Sequence, residues 1–172
     1  LKGAQVAVEM TRHAFRFGTE VSVDVIAEDS PEAEAYRTHF LEMFNFAAIN
    51  PFYLNRWRKE DQAAITLDAT LKAIDYFQQQ DIPMRGHVLV WRMEEAAQLT
   101  PEEVRAKTIA HIQRTAGHPV IAAAVDEWDV QNEPTSNSEV FDVLGREAVV
   151  DWFRMVHDYA PHAKLFLNES GI

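Results

Sequence analysis

Short apolar runs alternate with longer helical patterns along almost the whole chain, and few folds accommodate that alternation. Gln5 to Glu9 alternates polar and apolar residues, and Phe15 to Val23 is β-rich around Gly18. Ser30 is placed to cap a helix that carries Pro31 at its first position and Glu32 and Glu34 at the positive end of its dipole. That helix is expected to run to about Phe44, and Phe46 to Ile49 follows as a strand. Asp61 to Gln80 is a second long helix, with Ile65, Leu67, Leu71, Ile74 and Phe77 near helical spacing. Asp81-Ile82-Pro83 ends it, and His87 to Trp91 reads as a buried strand. Thr100-Pro101-Glu102-Glu103 is a capping box opening a helix to about Ala116. Val125 to Asn132 is a further strand, Glu147 to Tyr159 a helix, and Lys164 to Asn168 the last strand.

Strand–helix alternation repeated about four times means parallel strands joined by right-handed helical crossovers. Two α/β architectures satisfy it: an open doubly wound sheet, or part of a (β/α)8 TIM barrel. No glycine-rich phosphate loop follows any strand, which weakens the nucleotide-binding form. A full barrel needs about 250 residues, so the expectation is an incomplete TIM barrel of about the first five β/α units. Residues 1–172 form one partial barrel domain, with 1–12 read as a preceding strand or a linker from an upstream module. The chain starts at Leu1 without a basic-then-apolar leader, so it is expected to be a mature or excised piece or to have lost upstream sequence.

Composition narrows the partners. The formal net charge of −11 repels nucleic acid phosphates and anionic lipid, so neither is expected. A neutral polysaccharide is indifferent to that charge. There are no cysteines, hence no disulfide and no thiolate chemistry. No apolar run approaches the roughly 20 residues of a membrane helix.

In parallel α/β folds the functional side chains gather at the carboxyl ends of the strands. The most informative such segment is Trp128-Asp129-Val130-Gln131-Asn132-Glu133-Pro134. A strand reads well to Val130; Asn132 and Glu133 then emerge at its end, and Pro134 stops further ladder bonding. A carboxylic acid held there can protonate a glycosidic oxygen, and the neighbouring amide can bind a sugar hydroxyl.

The string Trp-Asp-Val-Gln-Asn-Glu from 128 to 133 resembles the Trp-Asp-Val-Val-Asn-Glu of glycoside hydrolase family 10, the endo-β-1,4-xylanases, with only Gln131 different. Arg85-Gly86-His87-Val88-Leu89-Val90-Trp91 resembles the family's Arg-Gly-His-Thr-Leu-Val-Trp-His, where Arg92 now stands for the final His. Weaker echoes lie in Phe15-Arg16-Phe17-Gly18 and in Ala163 to Glu169. The resemblance implies a secreted retaining glycosidase acting on xylan or a related plant polysaccharide, with no cofactor and no metal. Glu133 would be the general acid/base, and Asn132, His87 and Trp91 would bind substrate beside the cleaved bond.

The chain departs from the family in two places. After the second strand the family carries Glu-Asn-Glu-Met-Lys-Trp, where this chain has Asn50-Pro51-Phe52-Tyr53-Leu54-Asn55-Arg56-Trp57. Aligned on Trp57, the Glu/Asn pair becomes Phe52 and Tyr53 and the Lys becomes Arg56; aligned on Phe44-Asn45, the pair becomes Asn50 and Pro51. Tyr53, Arg56 and Trp57 could form an aromatic and cationic wall for a sugar or cap the barrel rim, and Arg56 and Trp57 are the substrate-binding candidates among them. The second departure concerns the nucleophile. Retaining chemistry needs two carboxyl groups about 5–5.5 Å apart, and no second glutamate stands in a matching context. The nucleophile is therefore expected beyond this chain, and the chain alone is expected to be inactive.

Other readings stand beside these. Glu133 could be a surface acid after a strand, Trp91 a core residue and His87 a satisfied core histidine; the joint context favours function for all three. Trp128 reads as core, and Asp129 as a structural hydrogen-bonding or ion-pairing residue near Glu133. The remaining histidines show no zinc spacing, and Ser136 and Ser138 lack a nucleophile elbow. The rival functions are a non-catalytic carbohydrate-binding or degenerate barrel, and a half-barrel that dimerises over its open sheet edges.

Overall fold

The computed structural model describes residues 3–11, 14–52 and 60–169. Five strands, β1 (Gly18–Val21), β2 (Phe46–Ile49), β3 (Met84–Gly86), β4 (Glu127–Asn132) and β5 (Lys164–Asn168), pair in parallel in the order β1-β2-β3-β4-β5. A doubly wound sheet reverses its strand order at a switch point, whereas a barrel adds each strand beside the last. The unbroken order decides between the two architectures in favour of an arc of a (β/α)8 barrel. The crossovers contain α1 (Val23–Ala27), α2 (Pro31–Met43), α3 (Glu60–Gln79), α4 (Pro101–Arg114), α5 (Pro119–Ala124), α6 (Glu139–Leu144) and α7 (Ala148–Tyr159).

Local chemistry sets the helix ends. Ser30 accepts a hydrogen bond from Ala33 N at the start of α2. Thr100 and Glu103 satisfy each other's backbone donors at the start of α4, with Pro101 as its first residue. The strand register then sorts side chains by alternation. Val21, Ala47, Ile49, Met84, Trp128 and Val130 face the helices and are buried. Ala48, Arg85, Glu127 and Asp129 occupy the opposite face, which is the inner face of the arc.

The helix-facing layer is rich in aromatic side chains. Phe52 meets the Trp128 ring edge-on with centroids 4.9 Å apart, and Phe141 stacks on Trp152 of α7 at 5.7 Å. Gly86 pairs with Trp128, and a Cβ built there would lie 2.3 Å from the indole, so only glycine lets the two strands close over that ring. His111 of α4 is buried and bonded to the Phe52 carbonyl. Burial pushes its imidazole down to about 4, so it is neutral at pH 7.

Several expectations shift. Gln5 to Glu9 is in no strand, and Phe15 to Val23 narrows to β1. The regular ladder ends at Gly86 rather than running from His87 to Trp91; the His87–Val88 peptide bond is cis, and only Val90 bridges to Gln131. The segment nonetheless stays hydrogen-bonded to β4, through Leu89 N to Asp129 O at 3.1 Å and Val90 N to Val130 O at 3.0 Å. On α3 the buried residues include Ala63, Thr66, Ala69, Thr70, Ala73, Ile74 and Phe77, while Leu67 and Leu71 are half-buried. Small residues let that helix approach closely, and Thr70 Oγ1 donates to the Thr66 carbonyl within it.

Candidate active site

Because all five strands are parallel, their carboxyl ends meet at one end of the arc. β4 delivers Asn132 and Glu133 to that end. A bulge interrupts its pairing with β5 between Asp129 and Gln131, which resets the alternation just before the site. Glu133 then takes φ 50°, a left-handed conformation that costs a non-glycine residue about 1 kcal/mol. Neighbouring hydrogen bonds hold it there. Its N–H donates to the Asn168 carbonyl at 2.6 Å, and its own carbonyl accepts from Ser136 N at 3.1 Å and Asn137 N at 2.9 Å. Pro134 occupies the second position of that turn, where its fixed φ is favoured. Backbone strain retained at a strand end over-determined by hydrogen bonds is characteristic of a functional position.

The Glu133 carboxyl turns toward the segment that follows β3. Trp91 Nε1 donates to its Oε2 at 3.1 Å, and Asn137 Nδ2 donates to the same oxygen at 3.1 Å. Asn132 is buried; its N–H donates to the Val90 carbonyl at 3.0 Å, and its Oδ1 accepts from Asn168 Nδ2 at 2.6 Å. The end of the fifth strand therefore supports the end of the fourth.

Beneath this rim the inner face is charged. Asp129 is 2% exposed. Its Oδ2 accepts from Arg85 Nε at 2.9 Å and pairs with His87 Nδ1 at 2.8 Å, while its Oδ1 pairs with Arg85 Nη2. Burial by itself raises the Asp129 carboxyl; the hydrogen bonds from His87 and Arg85, with the guanidinium charge, outweigh it and hold Asp129 below its ordinary value. The same bond to Asp129 raises Arg85 above its own ordinary value. An ionised Asp129 requires a proton on His87 Nδ1, which fixes the ring and leaves Nε2 for another partner. Glu127 continues the ladder, with Arg16 at 2.6 Å, Arg85 at 3.5 Å and Lys164 at 4.0 Å. Arg85 also lies over the Phe166 ring, 4.2 Å from its centroid.

Of the site residues expected from sequence, the structure joins Trp91 and Glu133 directly, sets Asn132 beside them, and places His87 on the adjoining strand end. Arg56, Trp57 and Tyr53 lie outside the described residues, as does His13. Of the residues aligned with the family's Glu/Asn pair, Phe52 is core and Asn50 donates to Glu20 at 2.7 Å. Sequence reasoning did not single out Asn137. Its only signal was position, four residues after Glu133 across a proline turn. Among the described residues no group of three or more His, Asp or Glu side chains could hold a metal ion, and no helix is long and apolar enough to cross a membrane.

Comparison with known proteins follows the same lines. Endo-1,4-beta-xylanase 2 of Arabidopsis thaliana is 25% identical over 175 residues, covering 100% of this chain and 16% of that protein. Anti-sigma-I factor RsgI6 of Acetivibrio thermocellus is 24% identical over 178 residues, covering 99% of this chain and 22% of its own length. A GH10 endoxylanase retrieved from a sugarcane soil metagenome superposes with a TM-score of 0.67 at 22% identity, over 88% of this chain and 47% of its own. The chain thus spans about half of the solved structure it matches and less of these curated relatives. The family profile of Glycosyl hydrolase family 10 matches residues 7–172, and the chain belongs to that family.

Proposed function

We propose that the protein carrying this chain hydrolyses internal β-1,4 linkages of xylan or a related plant polysaccharide with retention, and that Glu133 is its general acid/base. Residues 1–172 supply one side of the cleft, and the nucleophilic carboxylate lies outside them. The observation that carries the reading is the Glu133 carboxyl at the end of β4, bonded at 3.1 Å to the indole of Trp91. In glycosylation Glu133 gives its proton to the departing sugar oxygen; in deglycosylation the resulting carboxylate takes a proton from the attacking water.

The neighbours have roles that fit their chemistry. Asn132 presents Nδ2 to a sugar hydroxyl, since its Oδ1 is occupied by Asn168. His87 offers Nε2, its Nδ1 being held by Asp129. Trp91 offers an apolar face to a pyranose ring, and Arg56 and Trp57 are proposed from the sequence alone as further substrate-binding residues. The altered 50–57 segment lacks the family's Glu/Asn pair, so preference among related polymers is set differently here. The acidic surface suits a neutral polymer rather than nucleic acid or membrane, and the family resemblance supports a secreted enzyme.

The test compares two substrates in the complete protein. Glu133→Gln lowers kcat/KM on xylo-oligosaccharides by about 100- to 10,000-fold, with a far smaller loss on a dinitrophenyl xylobioside, whose leaving group needs no proton. Equal losses on both substrates refute the assignment.

A second reading is a non-catalytic carbohydrate-binding barrel. The lost Glu/Asn pair favours it. Xylan binding without release of reducing ends by the complete protein would establish it.

A further inference from the structure

We infer that Arg92 and Asn137 fix which oxygen of Glu133 carries the transferred proton, an inference that rests on Glu133 being the acid/base. Four side chains form a closed circuit at the mouth. Trp91 Nε1 and Asn137 Nδ2 both donate to Glu133 Oε2. Asn137 Oδ1 accepts from Arg92 Nε at 3.0 Å, and the Arg92 guanidinium lies over the Trp91 ring at 4.5 Å from its centroid. Asn137 is 6% exposed, so its hydrogen bonds face little competition from water.

The chemistry of the groups makes the circuit directional. An indole N–H and an amide NH2 can only donate, and a guanidinium can only donate. An asparagine amide can in general be turned over, exchanging its oxygen and nitrogen. Here a reversed Asn137 would set its NH2 against Arg92 Nε–H and its oxygen against Glu133 Oε2, two repulsive contacts at once. Arg92 therefore locks the amide with its donor toward Glu133. With two donors aimed at Oε2, the proton of the neutral acid resides on Oε1. As the C1–O bond breaks, its electron pair stays on the departing oxygen, which takes the Oε1 proton. The carboxylate left behind keeps both hydrogen bonds on Oε2. The sequence resemblance places a histidine where Arg92 stands, so this lock is a feature of this chain rather than of the family pattern.

The test uses the complete protein and the ratio of kcat/KM on an unsubstituted xylo-oligosaccharide to that on a dinitrophenyl xylobioside. The ratio does not depend on the fraction of enzyme folded. Asn137→Ala lowers it by about tenfold, the loss expected for one hydrogen bond to a charged group. Asn137→Asp, which keeps an acceptor for Arg92 but no donor for Glu133, lowers it at least as much. Arg92→Ala lowers it less, and Arg92→Lys, which restores a donor to Asn137 Oδ1, recovers part of the loss. Ratios unchanged in the Asn137 variants, alongside a collapsed ratio in Glu133→Gln, overturn the positioning role and leave the acid/base assignment intact. An unchanged ratio in Glu133→Gln itself removes both.

Discussion

The two faces of β4 carry opposite chemistry one residue apart. Trp128 and Val130 point into a layer of aromatic and aliphatic side chains with no exposure, while Glu127 and Asp129 point into a ladder of Arg16, Arg85, His87 and Lys164. A parallel strand covered by helices on one side can devote that side to stability and the other to a site. The bulge at the end of β4 lets the chain leave this alternation, so that Asn132 and Glu133 reach the rim. The division predicts that substitutions on the helix-facing side act first on stability, and those on the inner side first on chemistry.

The largest expected effect on the helix-facing side is Trp128→Ala. It removes the ring that packs on Phe52 and over Gly86, at a cost of about 3–5 kcal/mol. Against a typical total stability of about 5–15 kcal/mol, the denaturant midpoint falls steeply, while the kcat of the folded fraction in the complete protein stays near wild type. A large fall in kcat with little change in midpoint would break the division.

A smaller effect separates the faces by pH. His111, in the helix layer, has a folded value of about 4 against an ordinary 6.5. Its neutral form is the one that folds, so its contribution is complete above about pH 6.5 and is lost as the pH falls toward 4. A shift of that size corresponds to about 3 kcal/mol. Asp129, on the inner face, is held below its ordinary value, so its contribution is complete above about pH 4 and is lost only below that. Stability measured by urea unfolding should therefore decline in two windows. His111→Phe flattens the upper window and Asp129→Asn the lower. A single decline confined below pH 4 in the wild-type protein would contradict the burial argument for His111.

How much of this was legible in sequence depended on whether a feature was periodic or tertiary. Phe46–Ile49 and Lys164–Asn168 were readable to the residue, because each is a short apolar or alternating run bounded by turns. The capping residues Ser30 and Thr100 marked α2 and α4 for the same local reason. The short helices α1, α5 and α6 were not read, since five or six residues are too few to display a stripe of period 3.6. The segment from His87 to Trp91 looked like a strand because it is buried, yet burial is compatible with a chain that touches its neighbour through scattered hydrogen bonds. Glu133, Trp91 and His87 were singled out because strand ends collect at one rim. Asn137 was not, because its value comes from a turn folding back on the carboxyl and from Arg92 in the segment after β3, neither of which has a sequence period.

The most direct measurement is the product formed by Glu133→Ala in the complete protein when azide is added with a dinitrophenyl xylobioside. Removing the acid/base leaves a covalent glycosyl-enzyme that cannot activate water, and azide enters from the face the base had served. The account predicts accelerated turnover yielding the β-configured xylobiosyl azide. An α-configured azide would make Glu133 the nucleophile instead, and the absence of any azide product would contradict its catalytic role.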